Sequence, residues 1–339
     1  MIRLCYGVLT HGQLLRSCLK TPNGRRATAL VVGTSLPKST HIAEDMATFR
    51  RLAHARLAPA LGSSGILRQL LKSAVLSTRY VFMERTLSVK PRYYRWHVDP
   101  GVEWVETNTN YGFIDWDIPL SQAALVLVDV WDRHYLKDTD ARAEAIIQQK
   151  YPPLLNAARQ AGLRVIHAPD PIQAKKYPDL RPNVGIEDLE IKRQSEWPPA
   201  AFRLKTEEYK SFAQPFEPRE KERNDYVTPR TVHPLAEPMG EDVVIATGEE
   251  LHRYCQQQQI LFLFFLGFNT NACILLRDYG TIEMSKRGYE IIIVRDCTTG
   301  MESCETHDQL SQTRGTILFL EMFGKYSILS EELIAGLIA

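Results

Sequence analysis

Five short, unbroken apolar runs punctuate the chain from residue 124 onward: ALVLVD (124–129), LRVIHA (163–168), DVVIA (242–246), ILFLFFL (260–266) and YEIIIV (289–294). A strand with one face in water alternates polar and apolar residues, whereas a continuously apolar strand must be covered on both faces. Helix-like patterns follow several of these runs. Ala145, Ile146, Leu154, Leu155 and Ala158 recur at helical spacing before Gly162, a stop signal. Further helices are expected to about Gln258 and from about Ala272 to Arg287, the latter stopped by Gly288. A helix, a short strand near YSIL (326–329) and a helical turn or two in SEELIAGL close the chain. Strands alternating with helices predict an α/β fold, a Rossmann-like three-layer α/β/α arrangement around a mainly parallel sheet.

The flanking segments have a different character. Residues 1–80 hold 12 Lys and Arg against two acids, Glu44 and Asp45, with at most one short amphipathic helix in ILRQLLKSAVL. This basic extension reads as a poorly ordered arm, a targeting segment or upstream sequence joined by a wrong start site. Residues 81–119 are aromatic and β-branched with Pro and Gly breaks, as in a ribbon packed on a core or a subunit contact. The main domain is expected over 120–339, interrupted by a Pro- and charge-rich insertion at about 169–240. Loops of that length in compact domains are lids, interface arms or disordered segments.

The chain of 339 residues has a net charge of +1, so nucleic acid and anionic membranes are not expected partners. No apolar run approaches the ~20 residues of a membrane span. Six cysteines show no CxxC pair and no zinc-ligand spacing, which reads as free thiols in a reducing, cytoplasmic setting.

In an open parallel sheet, ligands gather beyond the carboxyl ends of the strands. Asp129 ends the first run there, and Cys273 falls in the first turn of the helix after the fourth. A thiol at a helix start meets free N–H groups and the positive end of the dipole, which favours thiolate. The same N–H groups can receive an oxyanion, and a nearby carboxylate can take the thiol proton. The bland alternative is a buried, inert cysteine and a turn-capping aspartate.

ALVLVDVWDRH, GFNTNACILLRDYG and RGYEIIIVRDCTTG together resemble motifs of the isochorismatase-like cysteine hydrolases, which include nicotinamidases, N-carbamoyl amidohydrolases and isochorismatases. The resemblance covers about residues 120–339 outside the insertion. It implies Cys273 as nucleophile and Asp129 as general base. It also implies a cis peptide at Phe268–Asn269, and an oxyanion hole from the backbone N–H groups of Asn269 and Cys273. Thr270 and Asn271 would fix that loop, and Asp296 would be structural. Trp131, His134, Phe268 and Thr270 are the expected pocket residues, with a small-molecule substrate and a homo-oligomeric assembly.

The sequence departs from the family pattern at one catalytic position. The family's lysine after the third strand is missing from EDVVIATGEELHRYC; Thr247 stands there, at the head of a capping-box pattern with Glu250. Lys205, in the insertion, is the first candidate for a substitute cation, with His252 and Glu249 as further possibilities. His134, His167 and Asp170 do not reproduce the family's metal spacing, so no metal is expected. No GxGxxG follows the first strand, so a dinucleotide is disfavoured and no cofactor is expected. The expected activity is cysteine-dependent hydrolysis of a small amide or ureido C–N bond. The alternatives are a catalytically impaired protein serving in binding or assembly, and vinyl-ether hydrolysis of the isochorismatase type.

Overall fold

The computed structural model describes residues 15–20, 26–31, 85–185 and 197–339. The chain divides into two compact units, Met1–Tyr80 and Val81–Ala339. In the first unit, β1 (Leu15–Lys20) and β2 (Arg26–Val31) pair antiparallel. The segment ILRQLLKSAVL lies outside the described residues.

The strands of the second unit are β3 (Thr86–Val89), β4 (Arg92–Arg95), β5 (Asn110–Phe113), β6 (Trp116–Pro119) and β7 (Ala123–Val128). They continue with β8 (Arg164–Ala168), β9 (Val243–Val244), β10 (Phe262–Phe268), β11 (Glu290–Thr299) and β12 (Tyr326–Ile328). The helices are α1 (Lys137–Ala161), α2 (Pro171–Ala174), α3 (Ala200–Leu204), α4 (Glu220–Val227), α5 (Gly248–Gln258), α6 (Cys273–Leu276), α7 (Thr281–Lys286), α8 (Ser311–Met322) and α9 (Ser330–Ile338).

Eight strands form one sheet in the order β5-β4-β12-β11-β10-β7-β8-β9, parallel from β12 to β9. The aromatic segment contributes directly to this sheet: β4 pairs antiparallel to β12, and β5 to β4. β3 and β6 form a separate antiparallel ribbon.

The sheet is sandwiched between two hydrophobic layers, which explains the unbroken apolar runs. Leu125 and Leu127 of β7 face the core made with Ile147, Tyr151 and Leu154 of α1 and Leu333 of α9. Ala124, Val126 and Val128 face the opposite core, with Leu251 and Tyr254 of α5, Met284 of α7 and Leu320 of α8. Successive side chains of a strand point to opposite faces, so every position of β7 is buried.

The chain steps outward from β7 to β8 and β9, then returns to place β10 on the other side of β7. That reversal between β7 and β10 is a topological switch point, the place where an α/β sheet opens a ligand crevice. Gly267 lets the two strands approach there. Its φ is +124°, and a Cβ at this position would lie 1.9 Å from the Val128 carbonyl oxygen.

Candidate active site

Asp129 leaves β7 in the left-handed region, with φ 46°, and its N–H donates to Ala168 O at 3.1 Å. Aspartate tolerates this conformation better than bulky residues do. The turn leaves the carboxyl 4% exposed at the switch point.

From β10 the chain enters the site through a cis Phe268–Asn269 peptide, at the bond implied by the family resemblance. The following loop is tied to the end of β11. Thr270 N donates to Thr299 O at 3.1 Å, and its hydroxyl lies 2.6 Å from that of Thr298. Asn271 binds Met301 both ways, Nδ2 to O at 2.8 Å and N to Oδ1 at 3.0 Å. Asn269 O accepts from Ala272 N and Ile274 N, closing the turn that presents Cys273.

Cys273 and Asp129 meet. The Asp129 carboxylate and the Cys273 thiol act on each other electrostatically, and the Asn269 backbone acts on the sulfur as well. Burial, then the Asp129 charge and hydrogen bond, push the Cys273 pKa up to about 12; Arg277 and the Asn269 hydrogen bond oppose the rise. The sulfur is therefore held as a thiol near neutral pH. This departs from the thiolate expected of a helix start, because α6 is a single turn of four residues and burial beside a carboxylate outweighs its weak dipole. Burial also raises the Asp129 pKa, against Arg277 and the thiol. A carboxylate shifted upward is a stronger acceptor for a thiol proton.

The cation at this pair is Arg277, four residues after the cysteine. One Nη lies 3.2 Å from Asp129 Oδ2 and 2.9 Å from Asp170 Oδ2. Burial works against its charge, but Asp129 above all holds it firmly protonated. Arg277 reaches inward because the expected helix of 272–287 breaks at this residue, whose backbone is extended with ψ 155°. Asp278 Oδ2 accepts from Gly248 N at 2.8 Å, and the buried Tyr279 hydroxyl donates to Pro169 O at 3.1 Å. These bonds anchor the break to α5 and to the end of β8. The sequence signal was the RDYG stretch, whose Asp and Gly interrupt helices, combined with i+4 spacing from the cysteine.

The other candidates have different surroundings. Lys205 lies with φ 52° after α3, its Nζ 3.5 Å from the centroid of the Phe202 ring. His252 Nδ1 lies 2.9 Å from the Tyr289 hydroxyl, and Glu249 pairs with Arg253 and Arg287. His167 sits 3.0 Å from Asp242, itself held by Arg159, while Asp170 holds Arg277 and His134 Nδ1 accepts from Leu136 N. The structure thus gives these three separate partners. Trp131, His134, Phe268 and Thr270 are all buried. Trp131 lies between the rings of His134 and Phe268, at 5.0 and 5.3 Å, so this group forms a wall supporting the site. Asp296 accepts from the N–H and hydroxyl of Ser330 at the start of α9 and pairs with Lys150, a structural set of partners.

Thr247 is the N-cap of α5, its hydroxyl accepting from Glu250 N at 3.2 Å; Glu250 reaches one residue further back, to Ala246 N. Thr247→Ala is expected to lower stability by about 1 kcal/mol in a denaturant titration and to leave kcat intact. A collapse of kcat at unchanged stability would make Thr247 part of the chemistry.

Residues 123–318 match the family model for the isochorismatase domain. Among solved structures, a cysteine hydrolase from Pseudomonas syringae pv. phaseolicola 1448A is 16% identical, covering 66% of this chain and 95% of its own, with a TM-score of 0.42. An isochorismatase family protein from Desulfovibrio vulgaris is 13% identical, covering 64% and 99%, with a TM-score of 0.37. N-carbamoylsarcosine amidase from Thermoplasma acidophilum is 13% identical, covering 62% and 97%, with a TM-score of 0.33. Likenesses of this size carry no chemical information. No curated protein sequence matches the chain.

Proposed function

Because the chain belongs to the isochorismatase family, we propose that it hydrolyses a C–N bond, of amide or ureido type, in a small molecule through a Cys273 acyl-enzyme. The observation that carries this reading is the buried Asp129 carboxylate coupled to the Cys273 thiol, with Arg277 held against the same carboxylate.

In the first step Asp129 takes the thiol proton as the sulfur attacks the carbonyl carbon. The pKa of about 12 means that proton and attack move together, since free thiolate is scarce near neutral pH. The carbonyl oxygen becomes an oxyanion and is received by the N–H groups of Asn269 and Cys273. Collapse breaks the C–N bond, and Asp129 returns the proton to the leaving amine. This return suits an amine, which leaves poorly as an anion. Water, deprotonated by Asp129, then attacks the thioester; the C–S bond breaks, the acid is released, and the Cys273 sulfur takes the proton back from Asp129. Arg277 balances the negative charge shared by sulfur and carboxylate, the duty that the family lysine performs elsewhere. Trp131 and His134 wall the pocket.

Turnover of a panel of small amides and carbamoyl compounds, followed by ammonia release, tests this reading. Activity that disappears in Cys273→Ala supports it, whereas full turnover by that variant rejects the nucleophile. Arg277→Gln is expected to lower kcat/KM by about 100-fold, the scale of one lost charge-stabilising donor. Lys205→Ala is expected to stay at the wild-type value; a loss there equal to that of Arg277→Gln would move the cation's role to Lys205.

One observation favours a second reading, a binding protein without turnover: the protonated state of the Cys273 thiol at rest. It requires that no member of the panel is consumed while small amides still bind.

A further inference from the structure

The 169–240 insertion returns to the site along a short antiparallel ladder. Asp132 N donates to Thr231 O at 3.0 Å, Thr231 N to Asp132 Oδ1 at 2.9 Å, and His233 N to Val130 O at 2.9 Å. Between them Trp131 bridges Val232. The ladder places Arg230 beside the exit of β7. Its charge is close enough to act on both Asp129 and His134.

The Arg230 guanidinium has no carboxylate partner among the described residues, and its Nε is buried without a hydrogen bond. A buried donor with no acceptor is costly, and it calls for a group that arrives from outside. The neighbouring acids are engaged elsewhere. Asp132 pairs with Arg133 at 2.7 Å, Asp140 accepts from His134 N at 2.6 Å, and Asp129 and Asp170 share Arg277. Two further cations act on His134. Arg142 bonds Thr299 Oγ1 and Gly300 O, and Arg223 lies over the Tyr135 ring at 4.8 Å. His134 itself is neutral, burial and these arginines carrying its pKa down to about 4. Arg230 is thus a cation acting on both Asp129 and His134 with no carboxylate of its own among the described residues.

We propose that Arg230 receives a carboxylate of the substrate, which makes the substrate class small amide or ureido compounds that also carry a carboxylate group. This rests on the reading of Cys273 as nucleophile. A guanidinium offers two parallel N–H donors that match the two oxygens of a carboxylate. Anchored at that end, such a molecule presents its other, C–N end to Cys273, and an uncharged analogue forfeits the anchor.

The test uses Cys273 as its own reporter. Alkylation rates at Cys273 are measured by peptide mass spectrometry with two acid/amide pairs, iodoacetate against iodoacetamide and 3-bromopropionate against 3-bromopropionamide. In at least one pair, Arg230→Gln should lower the acid-to-amide rate ratio about tenfold, and Arg230→Lys should recover most of it. The buried thiols of Cys255 and Cys297 stay unlabelled in a folded variant, which separates lost recognition from lost structure. A ratio in Arg230→Gln equal to that of the wild type in both pairs overturns the proposal while leaving the nucleophile intact. Failure of all four reagents to label Cys273 overturns the nucleophile and the proposal with it.

Discussion

Asp129→Asn is expected to lower kcat/KM by about 1,000-fold, within the range for loss of a positioned general base, and at the same time to make Cys273 easier to alkylate near neutral pH. The two effects have opposite signs for one reason. The carboxylate raises the thiol pKa through its charge and its hydrogen bond, after burial. Removing the charge while keeping the shape lowers that pKa and frees more thiolate for a reagent that needs no base. Hydrolysis suffers regardless, because the leaving amine and the attacking water lose their proton carrier. The wild-type pH profile follows from the same group. Turnover needs Asp129 ionised, and burial lifts its pKa above the usual carboxylate value. Activity therefore falls with decreasing pH along a limb that lies above the ordinary carboxylate range. Lost structure would instead expose the buried Cys255 and Cys297 to reagent as well, so turnover and Cys273 alkylation that fall together while those two stay unlabelled would refute the base.

Gly267→Ala should remove both structure and activity. The residue pairs with Val128 across the two strands that end at Cys273 and Asp129. Its φ of +124° is strained for any residue with a side chain, and the added carbon would stand 1.9 Å from a backbone oxygen that cannot move without unpairing the strands. Expected destabilisation is about 3–5 kcal/mol, near the extreme for a single substitution, read from the denaturation midpoint of the full chain. The fraction that remains folded should also turn over poorly, since forcing β7 and β10 apart separates thiol from carboxylate. A change of stability below about 1 kcal/mol would mean that the close approach is not required.

The parts of the molecule legible in the sequence are those decided by local pattern. The runs around Val126 and Phe264 read as strands because alternate side chains feed two cores, and Asp129 and Cys273 stood out because each follows such a run. The parts that escaped were decided by distant partners. An uninterrupted helix from Ala272 to Arg287 is a fair reading of periodicity. The break at Arg277 exists because Asp278 caps the start of α5 and Tyr279 reaches the Pro169 carbonyl. Sequence pattern consequently points to Lys205 in the insertion as the cation, while the structure pairs Arg277, within the cysteine's own motif, with Asp129. The helix-start pattern favours a thiolate, whereas burial and Asp129 raise the Cys273 pKa, for a similar reason. Dipole arguments need several helical turns, whereas this helix has one and a carboxylate faces the sulfur. The sheet edge tells the same story. The aromatic segment reads as a ribbon, but only its pairing with β12 reveals that it extends the main sheet.

The most direct measurement of the central claim is the mass of the Cys273 peptide, captured by acid quench during turnover of a hydrolysed amide or carbamoyl compound. The account predicts an acyl adduct on Cys273 that accumulates within one turnover, decays with product release and is missing from Cys273→Ala. Steady hydrolysis with that peptide unmodified at every quench time, at wild-type rates in Cys273→Ala, would contradict it.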